Sequence, residues 1–135
     1  MIYLDTSVLL AQLLAEDRHP PESLWAEPLI ASRLLEYETW CRLNAAGYAA
    51  SHGDTARQLL SRTSLIELSP SVLQRALEPF PRPVRTLDAL HLASIHFLTE
   101  QRLRARLATY DQRLAETAHA MGIELFDLEQ RTGRR

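Results

Sequence analysis

The apolar positions of this chain change period again and again. Residues 2–4, IYL, form a short apolar run ending in Asp5, which reads as a buried parallel strand. From Thr6 to about Glu16, Val8, Leu9, Leu13 and Leu14 recur at helical spacing. HPPES at 19–23 breaks that pattern, because two prolines cannot continue a helix. PLIAS at 28–32 predicts a second strand, and a long helical pattern runs from about Arg33 to Tyr48. Gly47 and Gly53 loosen the next junction, and residues 54–62 read as helix. SLIEL at 64–68 predicts a third strand, and SPSVLQRAL at 69–77 opens with Ser-Pro, a favoured helix start. EPFPRPV at 78–84 holds three prolines and reads as loop. Residues 86–100 predict a helix, RLATY at 106–110 a fourth strand, and residues from about Asp111 to Met121 a helix stopped by Gly122. IELF at 123–126 predicts a fifth strand, and the basic tail RTGRR at 131–135 is expected to fray.

Short apolar strands alternating with longer helical patterns predict an open parallel α/β sheet covered by helices on both faces. In such sheets, sites form beyond the carboxyl ends of the strands, near the point where strand order reverses. The 135 residues predict one domain, 1–135, with one continuous core. Hydrophobic residues make up 46% and charged residues 24%, which is too apolar for a disordered chain. No apolar stretch approaches the ~20 residues of a membrane span. No basic region precedes the apolar run of MIYLD, so no signal peptide is expected, and the cytoplasm is the expected compartment. Cys41 is the only cysteine, which forbids an internal disulfide and argues against a thiolate metal site.

One helical stretch raises a question of chemistry. In RTLDALHLASI, 85–95, Leu87, Leu90, Ala93 and Ser94 cluster at helical spacing, and Leu92 and Ile95 extend the apolar surface. Asp88 nevertheless sits inside that run, and His91 follows one turn later. Asp5 follows the first strand and Asp111 the fourth, so both fall on the carboxyl edge. Glu36 and Glu38 fall in the first turns of the helix after the second strand. Taken singly, Asp5 and Asp111 are explained as helix caps. Thr86 is the expected cap of its helix, which puts Asp88 at the second helical position, where the helix dipole favours an acid by roughly 0.3–1 kcal/mol. Glu36 and Glu38 are two residues apart and cannot share a helix face, so at most one joins a cluster. A cluster must answer its own repulsion, about 4 kcal/mol per pair at 4 Å with an effective dielectric near 20. A hard divalent cation does so, and all-oxygen ligands suit Mg²⁺ or Mn²⁺ rather than zinc. Such ions activate water for phosphoryl chemistry.

Four segments carry a family likeness. IYLDTSVLL (2–10), SRLLEYETWCRL (32–43), RTLDALHLAS (85–94) and LATYDQRL (107–114) resemble, in order and spacing, the four motifs of PIN-domain proteins, specifically VapC-type toxins of bacterial toxin–antitoxin systems. The resemblance covers nearly the whole chain. It implies a three-layer fold with a five-stranded parallel sheet in order 3-2-1-4-5, a metal-dependent endoribonuclease, a homodimer and a small VapB-type antitoxin partner. It implies metal-binding and catalytic roles for Asp5, Asp88 and Asp111, with Thr6 as the hydroxyl beside the first acid. Glu38 matches the second motif's acid by its spacing from the strand end, with Glu36 the alternative. On this reading Asp5, Glu38 and Asp88 hold a first ion, and Asp111 helps hold a second ion or the attacking water. The implied products carry 5′-phosphate and 3′-hydroxyl ends.

Charge adds one refinement. The formal charge is −2, yet all 15 basic residues are arginines, which bind phosphate through a planar fork. Setting aside the four acids leaves 13 of the 17 against 15 bases, so the remainder is weakly cationic. Arg82 and Arg85, flanking the loop before Asp88, are the expected phosphate contacts. Arg102, Arg104 and Arg106 are expected at the opposite, amino edge of the sheet. His91, one turn past Asp88, either orients that carboxylate or its water, or is a structural histidine. Trp25, Trp40 and Leu43 are either core or a surface for another subunit. A receiver domain is excluded because it requires a late lysine, and a haloacid-dehalogenase phosphatase because Asp5 is followed by Thr6 and Ser7. No GxxxxGK[ST] or GxGxxG occurs. The remaining alternative is a PIN-like module that holds RNA or a protein partner without cutting.

Overall fold

The computed structural model describes residues 1–130, so the expected fraying of 131–135 lies outside the described residues. Four strands, β1 (Ile2–Leu4), β2 (Leu29–Ser32), β3 (Thr63–Ile66) and β4 (Arg106–Ala108), form a parallel sheet in the order β3-β2-β1-β4. Strand order reverses at β1: the chain first steps to β2 and β3, then returns to the other side as β4. The expected fifth strand is reduced to one parallel bridge, Leu107 to Leu125. Leu107 N–H donates to Glu124 O at 2.9 Å and Phe126 N–H to Leu107 O at 2.8 Å. That bridge lies where a fifth strand belongs, beside β4. It goes no further because Phe126 and Leu128 turn inward and are buried in the core.

Among the described residues, seven helices cover the sheet: α1 (Thr6–Leu13), α2 (Glu22–Trp25), α3 (Leu34–Ala46), α4 (Ala49–Ser61), α5 (Pro70–Ala76), α6 (Thr86–Glu100) and α7 (Gln112–Ala120). The two-residue period of β1 assigns its faces. Ile2 and Leu4 join Val8, Leu9, Leu24, Leu35 and Leu60, so α1 to α4 pack on one side. Tyr3 joins Leu92, Ile95, Leu98, Leu107 and Leu114, so α6 and α7 pack on the other. Leu43 is fully buried and belongs to the core, whereas Trp25 and Trp40 are half-buried, each with one part packed against the first core. None of the described helices is long and apolar enough to cross a membrane.

Several expectations shift by a turn or less, each for a local reason. The first helix stops at Leu13, ahead of Ala15 at φ +50°. α2 forms directly after Pro21, inside the segment read only as a break. α4 begins at Ala49 and runs through Gly53; only Gly47, at φ +78°, breaks the chain. Gly53 serves packing instead, since a Cβ there would stand 3.1 Å from the Trp40 ring. Arg85, not Thr86, is the cap residue of α6, because the proline-rich segment holds Arg85 extended at φ −77° and ψ 159°. Asp88 therefore sits third in the helix rather than second. Leu87, expected on the buried face, is 38% exposed and lines the cleft described next.

Candidate active site

Four carboxylates from four separate segments open on one cavity of about 640 Å³ at the carboxyl edge of the sheet. Asp5, Glu38, Asp88 and Asp111 line it together with Thr6, Ser7 and Arg85. The fold brings them there through the β1/β4 reversal. Asp5 N–H donates to Ala108 O at 3.1 Å, which ties the end of β1 to the end of β4.

Asp5 caps α1 and faces the cleft at once. Its Oδ2 accepts from Ser7 N at 3.3 Å, Ser7 Oγ at 2.6 Å and Thr109 Oγ1 at 2.8 Å. The proton directions follow from the backbone. Ser7 Oγ accepts Tyr110 N–H at 3.0 Å and Thr109 Oγ1 accepts Asp111 N–H at 2.9 Å, so both hydroxyls are free to donate to Asp5. Oδ1 of Asp5 accepts no hydrogen bond from the described residues. Ser7 and Thr109 carry no role in the sequence reading. Their signal was present: each hydroxyl stands two residues from a capping aspartate.

Glu38 is held just as firmly. Thr6 Oγ1 donates to its Oε1 at 2.8 Å, and His91 Nε2 donates to the same oxygen at 2.7 Å. His91 is 1% exposed, and its Nδ1 meets Tyr3 Oη at 2.8 Å. Tyr3 Oη accepts Ser32 N–H at 3.3 Å. A buried relay thus runs Ser32–Tyr3–His91–Glu38, so the carboxylate that His91 orients is Glu38 and not the expected Asp88, because both ring nitrogens are taken by Tyr3 and Glu38. Burial opposes the charge on Glu38, but the hydrogen bonds from His91 and Thr6 and the charge of His91 outweigh it and hold its carboxyl below the usual range. Burial likewise opposes protonation of His91, and the bond and charge of Glu38, with Asp5 and Asp88 beyond, raise its pKa nonetheless. Burial pushes the Tyr3 hydroxyl far up, so it stays neutral. Tyr3 was legible only as a core strand residue.

Asp88 and Asp111 share a cation from the chain itself. Arg85 Nε donates to Asp88 Oδ2 at 3.1 Å and Arg85 Nη2 to Asp111 Oδ2 at 2.5 Å. Asp111 Oδ1 caps α7, accepting Arg113 N–H at 3.0 Å and Leu114 N–H at 3.1 Å. Burial raises the pKa of Asp88; Arg85 pulls the other way, and the negative charges of Asp111 and Asp5 add to the rise. The sign matters for stability. A carboxyl whose folded pKa lies above its unfolded value costs the fold stability once pH has passed both. Asp88→Asn is therefore expected to raise the melting temperature of the metal-free protein at pH 7, read by a thermal melt in EDTA.

Two predicted residues stand elsewhere. Glu36 pairs with Arg33 at 3.6 Å, half exposed and outside the cavity, because a two-residue step turns it off the helix face that carries Glu38. Arg82 pairs with Glu116 at 3.3 Å and does not line the cleft. Arg106 pairs with Glu27 at the amino edge. Among the described residues, no three acidic, histidine or cysteine side chains stand close enough to hold an ion as they are. The donor set still fits a hard cation. Asp5 Oδ1, Glu38 Oε2 and Asp88 Oδ1 accept nothing from the described residues, and a positive group, Arg85, already stands between two of the acids.

A parallel α/β fold with oxygen donors gathered at the strand reversal defines a class, an open α/β domain with an acid-lined cleft at its carboxyl edge. The PIN domain profile matches residues 2–120, and the chain belongs to the PIN-domain family. Within it the chain is a VapC-type member. It is 33% identical over 132 residues to Ribonuclease VapC46 of Mycobacterium tuberculosis, covering 90% of this chain and 93% of that one. It is 29% identical over 129 residues to Ribonuclease VapC35 of the same organism, covering 91% and 93%. Among solved structures it is similar to M. tuberculosis VapC20, described as a sarcin–ricin loop cleaving toxin, at TM-score 0.65 and 21% identity, covering 86% of this chain and 94% of that one. A toxin–antitoxin complex from Klebsiella pneumoniae matches at TM-score 0.62 and 20% identity, covering 84% and 88%.

Proposed function

We propose that this chain is an endoribonuclease dependent on Mg²⁺ or Mn²⁺, and the toxin of a toxin–antitoxin pair. The observation that carries the proposal is the convergence of Asp5, Glu38, Asp88 and Asp111 on one cavity, with single oxygens of Asp5 and Glu38 fully committed to donors and the others left open. The relatives named as VapC ribonucleases support the substrate class.

When bound, a divalent cation supplies a water of lowered pKa and a Lewis acid for phosphoryl oxygens. Asp5, Glu38 and Asp88 would hold it, with Asp111 at the far side of the cleft. Thr6 and His91 hold Glu38 in one rotamer, while Ser7 and Thr109 hold Asp5. The open oxygens therefore need little reordering to act as ligands. No protein nucleophile is required, and the products are expected to carry 5′-phosphate and 3′-hydroxyl ends. The partner is proposed to be a VapB-type antitoxin, as the K. pneumoniae complex suggests by fold, and the assembly a homodimer. Leu43, being fully buried, does not form that contact.

Incubation of the purified protein with total RNA is the test. Cleavage is expected with Mg²⁺ or Mn²⁺ and none in EDTA. Cleavage unaffected by EDTA would overturn metal dependence. No cleavage, with no ion-dependent rise in melting temperature, would favour the non-catalytic binding module.

A further inference from the structure

We infer that Arg85 is an internal counter-ion that gates the Asp111 side of the cleft. A divalent cation binds Asp111 only after the guanidinium has left it. The inference rests on the metal-dependent reading above and adds a division of the site into an open half and a guarded half.

The oxygens make the division. Asp111 has two, and Oδ1 is committed to the backbone of α7, where it accepts from both Arg113 and Leu114. Only Oδ2 remains for a ligand in the cleft, and Arg85 Nη2 holds it at 2.5 Å. The same guanidinium holds Asp88 Oδ2 at 3.1 Å through Nε. Asp5 Oδ1, Glu38 Oε2 and Asp88 Oδ1, by contrast, accept nothing from the described residues. A first cation thus meets open oxygens. A second cation meets a positive charge seated on the one oxygen it needs.

Arg85 is built to leave. Its side chain is 60% exposed, and Asp88 and Asp111 are its only acidic partners among the described residues. It sits at the last extended position before α6, where its carbonyl accepts Ala89 N–H at 2.9 Å. The guanidinium end of both pairs is open to solvent, which weakens its hold, so a dication of higher charge displaces it once its concentration suffices. While seated, the guanidinium neutralises two acids that would otherwise repel across an empty cleft.

The experiment is a titration of the full chain with Mn²⁺, following free ion by electron paramagnetic resonance, for the wild type, Arg85→Gln, Asp111→Asn and Arg42→Gln. Arg42 also lines the cavity but pairs with none of its acids, so its variant controls for a general loss of positive charge. The wild type is expected to bind one ion and then a second more weakly. Arg85→Gln is expected to tighten the second step about tenfold and leave the first within a factor of about two. Asp111→Asn removes the second step, and Arg42→Gln leaves both steps near wild type. An unchanged or weakened second step in Arg85→Gln, or an equal gain in Arg42→Gln, overturns the gate. If Arg85→Gln and wild type both bind one ion only, the gate is also wrong while the metal site stands. Absence of any Mn²⁺ binding in every variant overturns the metal-dependent reading itself, and the gate with it.

Discussion

Asp5→Asn is expected to keep the fold and to lower RNA cleavage by on the order of 10²–10³-fold. The two halves of that expectation have separate causes. Asparagine caps a helix about as well as aspartate, so α1 keeps its start. Ser7 Oγ and Thr109 Oγ1 each accept a backbone N–H and must donate onward, which obliges the amide oxygen of the variant to take the Oδ2 position. The amide NH₂ then occupies the Oδ1 position and faces the cleft. A donor pair stands where a cation needs an oxygen, and one negative charge is gone. The measurements are a thermal melt, expected close to wild type in EDTA, and cleavage of RNA in Mg²⁺. A variant that melts like the wild type and still cuts at the wild-type rate would remove Asp5 from the chemistry.

His91→Leu is expected to cost about 3 kcal/mol of stability, because it strips a hydrogen-bond partner from two buried or half-buried groups at once. Leucine roughly replaces the volume of the ring. It replaces neither the bond to Glu38 Oε1 at 2.7 Å nor that to Tyr3 Oη at 2.8 Å. Glu38 is left with Thr6 alone, and the Tyr3 hydroxyl with Ser32 N–H alone.

The wild-type advantage over this variant should also depend on pH, with a sign set by linkage. His91 has a raised folded pKa, so its contribution is fully present below its ordinary value of 6.5 and fades as pH rises through the folded value. Glu38 has a lowered folded pKa, so its contribution is present above its ordinary value of 4.5 and fades as pH falls through the folded value. The stability difference between wild type and His91→Leu, measured by urea unfolding in EDTA, should therefore peak between about pH 4.5 and 6.5. A difference that is flat from pH 5 to 9 would mean that His91 fills space and does not pair with Glu38.

Much of the site was legible in the chain because it obeys a rule of parallel sheets. Asp5 and Asp111 close strands that flank the order reversal, and that rule alone places them across one crevice. The cap reading and the cleft reading of these aspartates turned out to be compatible, since a carboxylate has two oxygens and each task uses one. Glu38 over Glu36 rested on motif spacing, and the helix phase of α3 separates them physically. Arg82 stands outside the cavity, paired with Glu116, because proximity in sequence to Asp88 says nothing about direction along a loop with three prolines. The fifth strand was overcalled because IELF has strand character, whereas the burial of Phe126 and Leu128 pulls the segment off the sheet edge.

The sequence by itself determined the alternation of strands and helices, the capping of α1 and α7, and the delivery of acids to the carboxyl edge. These depend on contacts within about four residues, where period and propensity act. Only the tertiary structure decided which oxygen of each acid is committed and which is open. The donors that settle this lie 32 residues away for Thr6 to Glu38, 53 for His91 to Glu38, and 104 for Thr109 to Asp5. Hydrogen bonds across such separations exist only after the sheet has set its strand order and register, so no local pattern encodes them.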